Sequence, residues 1–336
     1  MKNLLILFIL FILLIFSVFI YKLFINKKNK KNNIIKIISN AEDLREGIYG
    51  QCLTWLLEVL YYLEKNNIYD INNNNTKVIF DINTLNNKNL IPKFIQPKKI
   101  YNIDKSLEPI KISFDKYKSK NKIESFDLDI KSFEKTNKIF NKYFKFNDFI
   151  TNEVNKLNIS ENALGIHFRG SDKLLDSDPE ANYISKEEMI LIIQDYIKHN
   201  NILQIFCCSD EQSFVTEIIK LYPNKVIQYK QKRLTNSDNN GLHRQGQNSS
   251  DKDRDNLTNS CIIDMLALSK CATIIKSSSA LSSFSKIINP SVKLYTVSAT
   301  LNPWFPTPVA EQYKSKSEKI IKILERTMKN DSYNKL

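Results

Sequence analysis

From Leu164 to Val297, short apolar runs alternate with helix-patterned segments, and this alternation constrains the fold more than any other feature of the chain. Leu164–His167, Leu203–Cys208, Val226–Tyr229, Ala272–Lys276 and Val292–Val297 read as strands. Lys186–His199, Glu211–Leu221, Leu257–Leu268 and Ser279–Ile288 read as helices between them. Strands that alternate with helices imply a parallel sheet covered on both faces, and right-handed crossovers then give a Rossmann-like α/β arrangement. A polar stretch, 230–255, interrupts the pattern as a surface excursion, and Lys314–Met328 reads as a last helix after Pro303, Pro306 and Pro308.

The amino-terminal half is less regular. Gly47–Tyr62 reads as a turn and an apolar helix, Lys77–Ile82 as a buried strand, and Ile130–Leu157 as helical, with Phe133, Ile139, Phe140, Tyr143, Phe144 and Phe146 as core contacts. At the start, Leu4–Ile20 is apolar except for Ser17 and continues through Leu23, Phe24 and Ile25. At about 1.5 Å per residue such a run spans a hydrocarbon core of about 30 Å, and no small-x-small cleavage site follows it, so residues 4–25 are expected to be a retained membrane anchor. Asn29–Asn40 reads as a polar stem. The net charge of +13 is concentrated around the anchor: Lys2, Lys22, Lys27, Lys28, Lys30, Lys31 and Lys36 stand in a stretch with no acid. The rest is only mildly basic, which disfavours a nucleic-acid partner. The 5 cysteines include no C-x-x-C pair and the histidines number 3, which excludes a disulfide scaffold and most His- or Cys-based metal sites.

Ligands of open α/β sheets bind beyond the carboxyl ends of the strands, so polar residues there are the candidates. The first strand runs into His167, Arg169, Gly170, Asp172 and Lys173. A guanidinium at 169 suits bidentate contact with phosphate, with a surface Arg–Asp pair as the plain alternative. The second strand ends in Ser209-Asp210-Glu211, which a helix N-cap would also explain. Ser277-Ser278-Ser279 stands between a strand and a helix, where free N–H groups and hydroxyls bind phosphate and capping is again the alternative. Asp264, inside an apolar helix, either faces solvent or points into the site. The Asp-x-Asp pairs at 127/129, 176/178 and 251/253 are short and lie in polar stretches, so the site is expected to work without a metal, its cationic groups and helix dipoles serving instead.

His167-x-Arg169-x-x-Asp172-Lys173 resembles the H-x-R-x-x-D-K motif of the α1,6-fucosyltransferases and the nodulation fucosyltransferase, within a wider group of α1,2- and protein O-fucosyltransferases. Ser209-Asp210-Glu211, Gly241-Leu242-His243, the helix Ile262–Ser269 around Asp264, and Lys276–Ser279 resemble further elements of that group, in the same order, over residues 163–290. Gly170 departs from the pattern, standing where the α1,6 enzymes carry a second Arg, and Met189 stands where they carry a Tyr.

The resemblance implies a GT-B-like α/β fold, two Rossmann-like domains with the active site in the cleft, and one N-terminal transmembrane helix added here. The implied divisions are an anchor at 1–26, a stem at 27–40, an acceptor-side domain at 41–160, a nucleotide-sugar domain at 161–300 and a carboxyl-terminal helix at 301–336. It implies inverting transfer from GDP-fucose to a glycan or glycoconjugate acceptor, with no cofactor and no metal, at a secretory-pathway membrane. Arg169 would bind the donor β-phosphate; His167, Asp172, Lys173, Asp210, His243, Asp264, Ser278 and Ser279 would hold the donor. Glu180 would be the general base, with Asp176 and Asp178 as rivals. Another nucleotide sugar, or a non-catalytic binding relic of the same fold, remains an alternative, and the Lys27–Lys31 cluster could meet anionic lipid.

The lysines after the apolar run favour a cytosolic body, whereas the sequons at Asn74, Asn158, Asn248 and Asn256 suit a lumenal one. The apolar run predicts that the full chain stays in the membrane pellet after alkaline extraction and that deleting residues 4–25 releases it. Protease protection in sealed microsomes reads the orientation, and a digested body overturns the lumenal assignment.

Overall fold

The computed structural model describes residues 33–41, 76–84, 95–98, 110–112, 130–170, 181–230, 251–299 and 311–329. The expected anchor at 4–25, the Lys27–Lys31 cluster and the helix expected at 47–62 lie outside the described residues. Among those described, no helix is long and apolar enough to cross a membrane.

The amino-terminal half holds a parallel three-stranded sheet, β1 (Asn33–Ala41), β2 (Thr76–Thr84) and β4 (Ile110–Ile112), in the order β2-β1-β4; between the last two in sequence comes a short strand, β3 (Ile95–Pro97). The stem expected over 27–40 is thereby corrected from residue 33 onward. Asn33–Ala41 pairs along its whole length with Thr76–Thr84, and Ile34, Ile35, Ile37 and Ile38 supply the β-branched side chains that favour a strand.

The helical stretch expected over 130–157 is two helices, α1 (Ile130–Tyr143) and α2 (Asp148–Lys156), separated by strand β5 (Phe144–Phe146). β5 pairs antiparallel with β3, and Asn147 caps α2 by accepting from the Ile150 N–H at 2.8 Å. The regular part follows: β6 (Leu164–Phe168), α3 (Lys186–His199), β7 (Ile205–Ser209), α4 (Gln212–Leu221), β8 (Val226–Ile227), α5 (Asp251–Leu268), β9 (Thr273–Lys276), α6 (Ala280–Ile288), β10 (Lys293–Thr296), β11 (Glu311–Gln312) and α7 (Glu318–Thr327). Its six strands are all parallel, in the order β11-β10-β9-β6-β7-β8. The expected helix at 257–268 begins earlier, at Asp251, inside the stretch read as a loop.

Both faces of this sheet are buried, as the alternation predicts. One face sets Leu164, Ile166, Phe168, Cys207 and Ile275 against α3, α4 and α7. The other sets Phe206, Cys208, Ile274 and Leu294 against α5, α6, α1 and α2. Adjacent residues such as Cys207 and Cys208 therefore enter different cores, as the period of two requires. Helices α1 and α2, expected on the acceptor side, thus share a core with the strands of the carboxyl-terminal sheet. Each fully buried Phe or Leu contributes about 1.5–3 kcal/mol of apolar transfer, which makes these two cores the main source of cohesion in this body.

Gly165 lies on the central strand where α5 ends. A Cβ there would sit 2.9 Å from Leu268 Cδ2 and 3.2 Å from Cys271 Sγ and Ile274 Cγ1. Gly165→Val is expected to lower stability by about 1–3 kcal/mol through overpacking. Urea denaturation measures this, and an unchanged midpoint would mean the helix end yields freely.

Candidate functional site

β6 is the first strand of the six-stranded sheet; β7 and β8 follow on one side of it and β9, β10 and β11 on the other. The strand order reverses between β6 and β9, so their carboxyl ends diverge into connections on opposite sides and leave a crevice there. The segments at this end of the sheet are Arg169-Gly170 after β6, Ser277-Ser278-Ser279 after β9, and, on the other side of β6, Asp210-Glu211 after β7.

These segments are tied together. Ser277 Oγ accepts from the Arg169 N–H at 2.8 Å, and the Ser277 N–H donates to the His167 carbonyl at 3.0 Å. The Ser278 N–H donates to Ser298 Oγ at 2.9 Å, which draws in the end of β10. Phe168 stacks on Phe214 of α4 with ring centroids 4.6 Å apart, which fixes the backbone just before Arg169. The Arg169 backbone is therefore held from two sides, and its side chain leaves a rigid point of the sheet.

The serines do more than cap. Ser279 is the N-cap residue of α6 yet makes no side-chain cap bond, and its Oγ is buried with no hydrogen-bond partner among the described residues. A buried hydroxyl without a partner is costly, which makes Ser279 a candidate ligand contact. The start of α6 adds free N–H groups and the positive end of the helix dipole. Ser278 and Ser279 thus stand where an anion would be cradled. Ser277 is a structural tie instead, and Ser282 takes part in the next one.

His167 is buried and its Nδ1 lies 2.8 Å from Ser282 Oγ in α6. It orients the strand end against the helix beside the cradle. Asp210 accepts from the Gly170 N–H at a long 3.4 Å. Asp264 is buried, not exposed, and lies near Tyr229, whose phenol is raised by burial first, then by Glu153, and lastly by the Asp264 charge. Asp172, Lys173, Glu180 and His243 lie outside the described residues, as do the rivals Asp176 and Asp178. Among the described residues no three His, Cys, Asp or Glu side chains converge to hold a metal ion.

Glu211 belongs to a segment that the sequence singles out, although the sequence assigns no site role to Glu211 itself. Ser209-Asp210-Glu211 suggests a plain helix cap, but Ser209 Oγ accepts from the Glu211 N–H at 3.0 Å, and Glu211 itself is the N-cap of α4 with no side-chain cap bond. Its carboxylate packs on Gly170, and burial, reinforced by Asp210 and eased by Lys186, raises its pKa from 4.5 to about 7. The folded state then holds a proton that the unfolded chain has shed. The stabilising effect of this group is full below about 4.5 and is lost as pH rises through about 7. The readable signal was an acid directly after a strand end, next to a glycine-bearing neighbour.

No protein-family model matches the chain, and no curated protein is similar to it in sequence. Solved structures are similar in shape. NodZ α-1,6-fucosyltransferase soaked with GDP-fucose matches at 14% identity and a TM-score of 0.46, over 77% of this chain and 94% of that one. Fucosyltransferase NodZ from Bradyrhizobium matches at 15% identity and a TM-score of 0.46, with the same coverage. An Arabidopsis thaliana FUT1 mutant in complex with GDP matches at 10% identity and a TM-score of 0.42, over 86% of this chain and 78% of that one.

Ser277→Ala removes the acceptor of the Arg169 N–H and is expected to destabilise the fold by about 1–3 kcal/mol. The thermal midpoint should fall while Ser277→Thr restores it; equal midpoints for wild type and Ser277→Ala would remove Ser277 from its tie role.

Proposed function

We propose that the chain is a glycosyltransferase that moves fucose from GDP-fucose to a glycan acceptor with inversion and without a metal, from the cleft of a GT-B-like fold. The observation that carries this reading is the switch-point crevice, where Arg169 stands on a fixed backbone beside the orphan Ser279 hydroxyl and the amino end of α6. A guanidinium, hydroxyls and helix-start N–H groups collected at one end of the sheet suit a diphosphate, and they suit it more when charge builds on a departing nucleoside diphosphate. The motif His167-x-Arg169-x-x-Asp172-Lys173 supports GDP-fucose in particular.

In this mechanism Arg169 and Ser278–Ser279 stabilise the leaving diphosphate in place of a metal ion. Glu180 accepts the proton of the acceptor hydroxyl as that oxygen attacks the anomeric carbon from the opposite face. His167 and Ser277 hold the arginine-bearing strand end in register and stay clear of the reacting atoms. The apolar run 4–25 would tether the enzyme at a secretory-pathway membrane, where glycan acceptors are presented.

Calorimetry on the full chain in detergent, comparing GDP, UDP and CMP without divalent metal, tests the reading. GDP alone should bind, Arg169→Ala should lose that binding, and turnover of GDP-fucose by Arg169→Ala should fall by about 10² or more. Preference for UDP or CMP would overturn the donor; near-normal turnover in Arg169→Ala would overturn the role of that residue.

A further inference from the structure

We propose that the Glu211 carboxylate is a ligand contact of this site, accepting hydrogen bonds from hydroxyl groups on the sugar half of a nucleotide sugar, in the space that Gly170 leaves open. This rests on the nucleotide-sugar reading and adds a residue to it.

The two positions crowd one another. A Cβ at position 170 would lie 1.9 Å from Glu211 Oε1 and 2.9 Å from its Cδ. The carboxylate therefore occupies the space that any larger residue at 170 would take at the end of β6. It does not cap α4, and no hydrogen-bond donor reaches its oxygens among the described residues. Lys186, whose charge acts on Glu211 through space, is itself bound to Glu217 at 3.1 Å and lies 3.7 Å from Glu187.

Charge then decides what the carboxylate meets. Among the described residues, the charges that act on it are Asp210 beside it on the β7 connection and Lys186 and Glu187 on α3, with Glu217 of α4 holding Lys186. An acid next to Asp210 repels phosphate. The serine cradle lies on the β9 side of β6, and Glu211 lies on the β7 side. A nucleotide sugar laid across the end of β6 puts its diphosphate at the serines and leaves a neutral, hydroxyl-rich part for the carboxylate. Hydroxyl donors favour the ionised form, so binding the sugar pulls the raised pKa down and releases a proton.

The test is calorimetry of the full chain with GDP and with GDP-fucose, in buffers of different ionisation enthalpy, from pH 6 to 8. For wild type, GDP-fucose affinity should rise up to about tenfold over that range, with a proton released on binding below about pH 7 and that release fading as pH rises through it. Glu211→Gln should weaken GDP-fucose about tenfold at pH 8 and abolish the proton release while leaving GDP affinity within about twofold. Glu211→Asp, which keeps the charge but draws the carboxylate back by one methylene, should weaken GDP-fucose in the same selective way if Glu211→Gln fails to fold. Equal losses for GDP and GDP-fucose would make Glu211 structural, and unchanged proton release in Glu211→Gln would remove it as the contact; either overturns the proposal. Wild type that binds neither ligand overturns the nucleotide-sugar reading itself, a failure distinct from GDP binding without the sugar effect.

Discussion

Strand Leu164–Phe168 is paired on both edges and buried on both faces, and most of the described structure follows from satisfying that condition. Its backbone polar groups can pair only with β7 and β9, so the neighbours must be parallel and in register. Its side chains alternate between two cores, so helices must cover both sides, α3, α4 and α7 on one and α5 and α6 on the other. With burial on both faces and pairing on both edges, the carboxyl end of this strand is a well-held point from which to present a side chain. Arg169 stands one residue beyond it.

The chemistry divides about that strand end. On the β9 side the amino end of α6 and the Ser279 hydroxyl offer unpaired donors, which suit an anion. On the β7 side Asp210 and Glu211 offer acceptors, one with its pKa raised mainly by burial, which suit hydroxyl groups. A nucleotide sugar has the same division along its length, a charged diphosphate followed by a neutral polyol. The match between the two patterns links the fold to the proposed transfer more directly than any single residue does.

Local patterning was read well where local physics decides. Helix Lys186–His199 has the limits expected from its periodicity because Ser185 and Glu188 form a capping box at its start. The strands at 164, 205 and 273 were readable because their apolar runs are too short for helices. Asn33–Ala41 is a strand and not a stem; its four isoleucines are a local sign of that, but its partner, Thr76–Thr84, is far along the chain and no local pattern points to it. The single helix expected over 130–157 is broken at Phe144–Phe146 for the same reason: pairing with Ile95–Pro97 is a non-local contact. At the site, Arg169 and the serines were readable from their place after strands, but the division of labour among the serines was not. Which hydroxyl ties backbone and which stays unpaired depends on distances of about half an ångström across separate strands.

By itself, the sequence determined the class of fold, the presence of a parallel sheet between helices, and the strand ends at which polar residues would collect. Hydrophobic periodicity and helix caps act over a few residues, and they are enough for that. Only the tertiary structure decided that the strand order reverses between β6 and β9, that Ser277 holds Arg169 in place, and that Glu211 fills the space left by Gly170. Each of these joins residues 40 or more positions apart, where loop closure and the burial of two faces at once, rather than local propensity, select the arrangement.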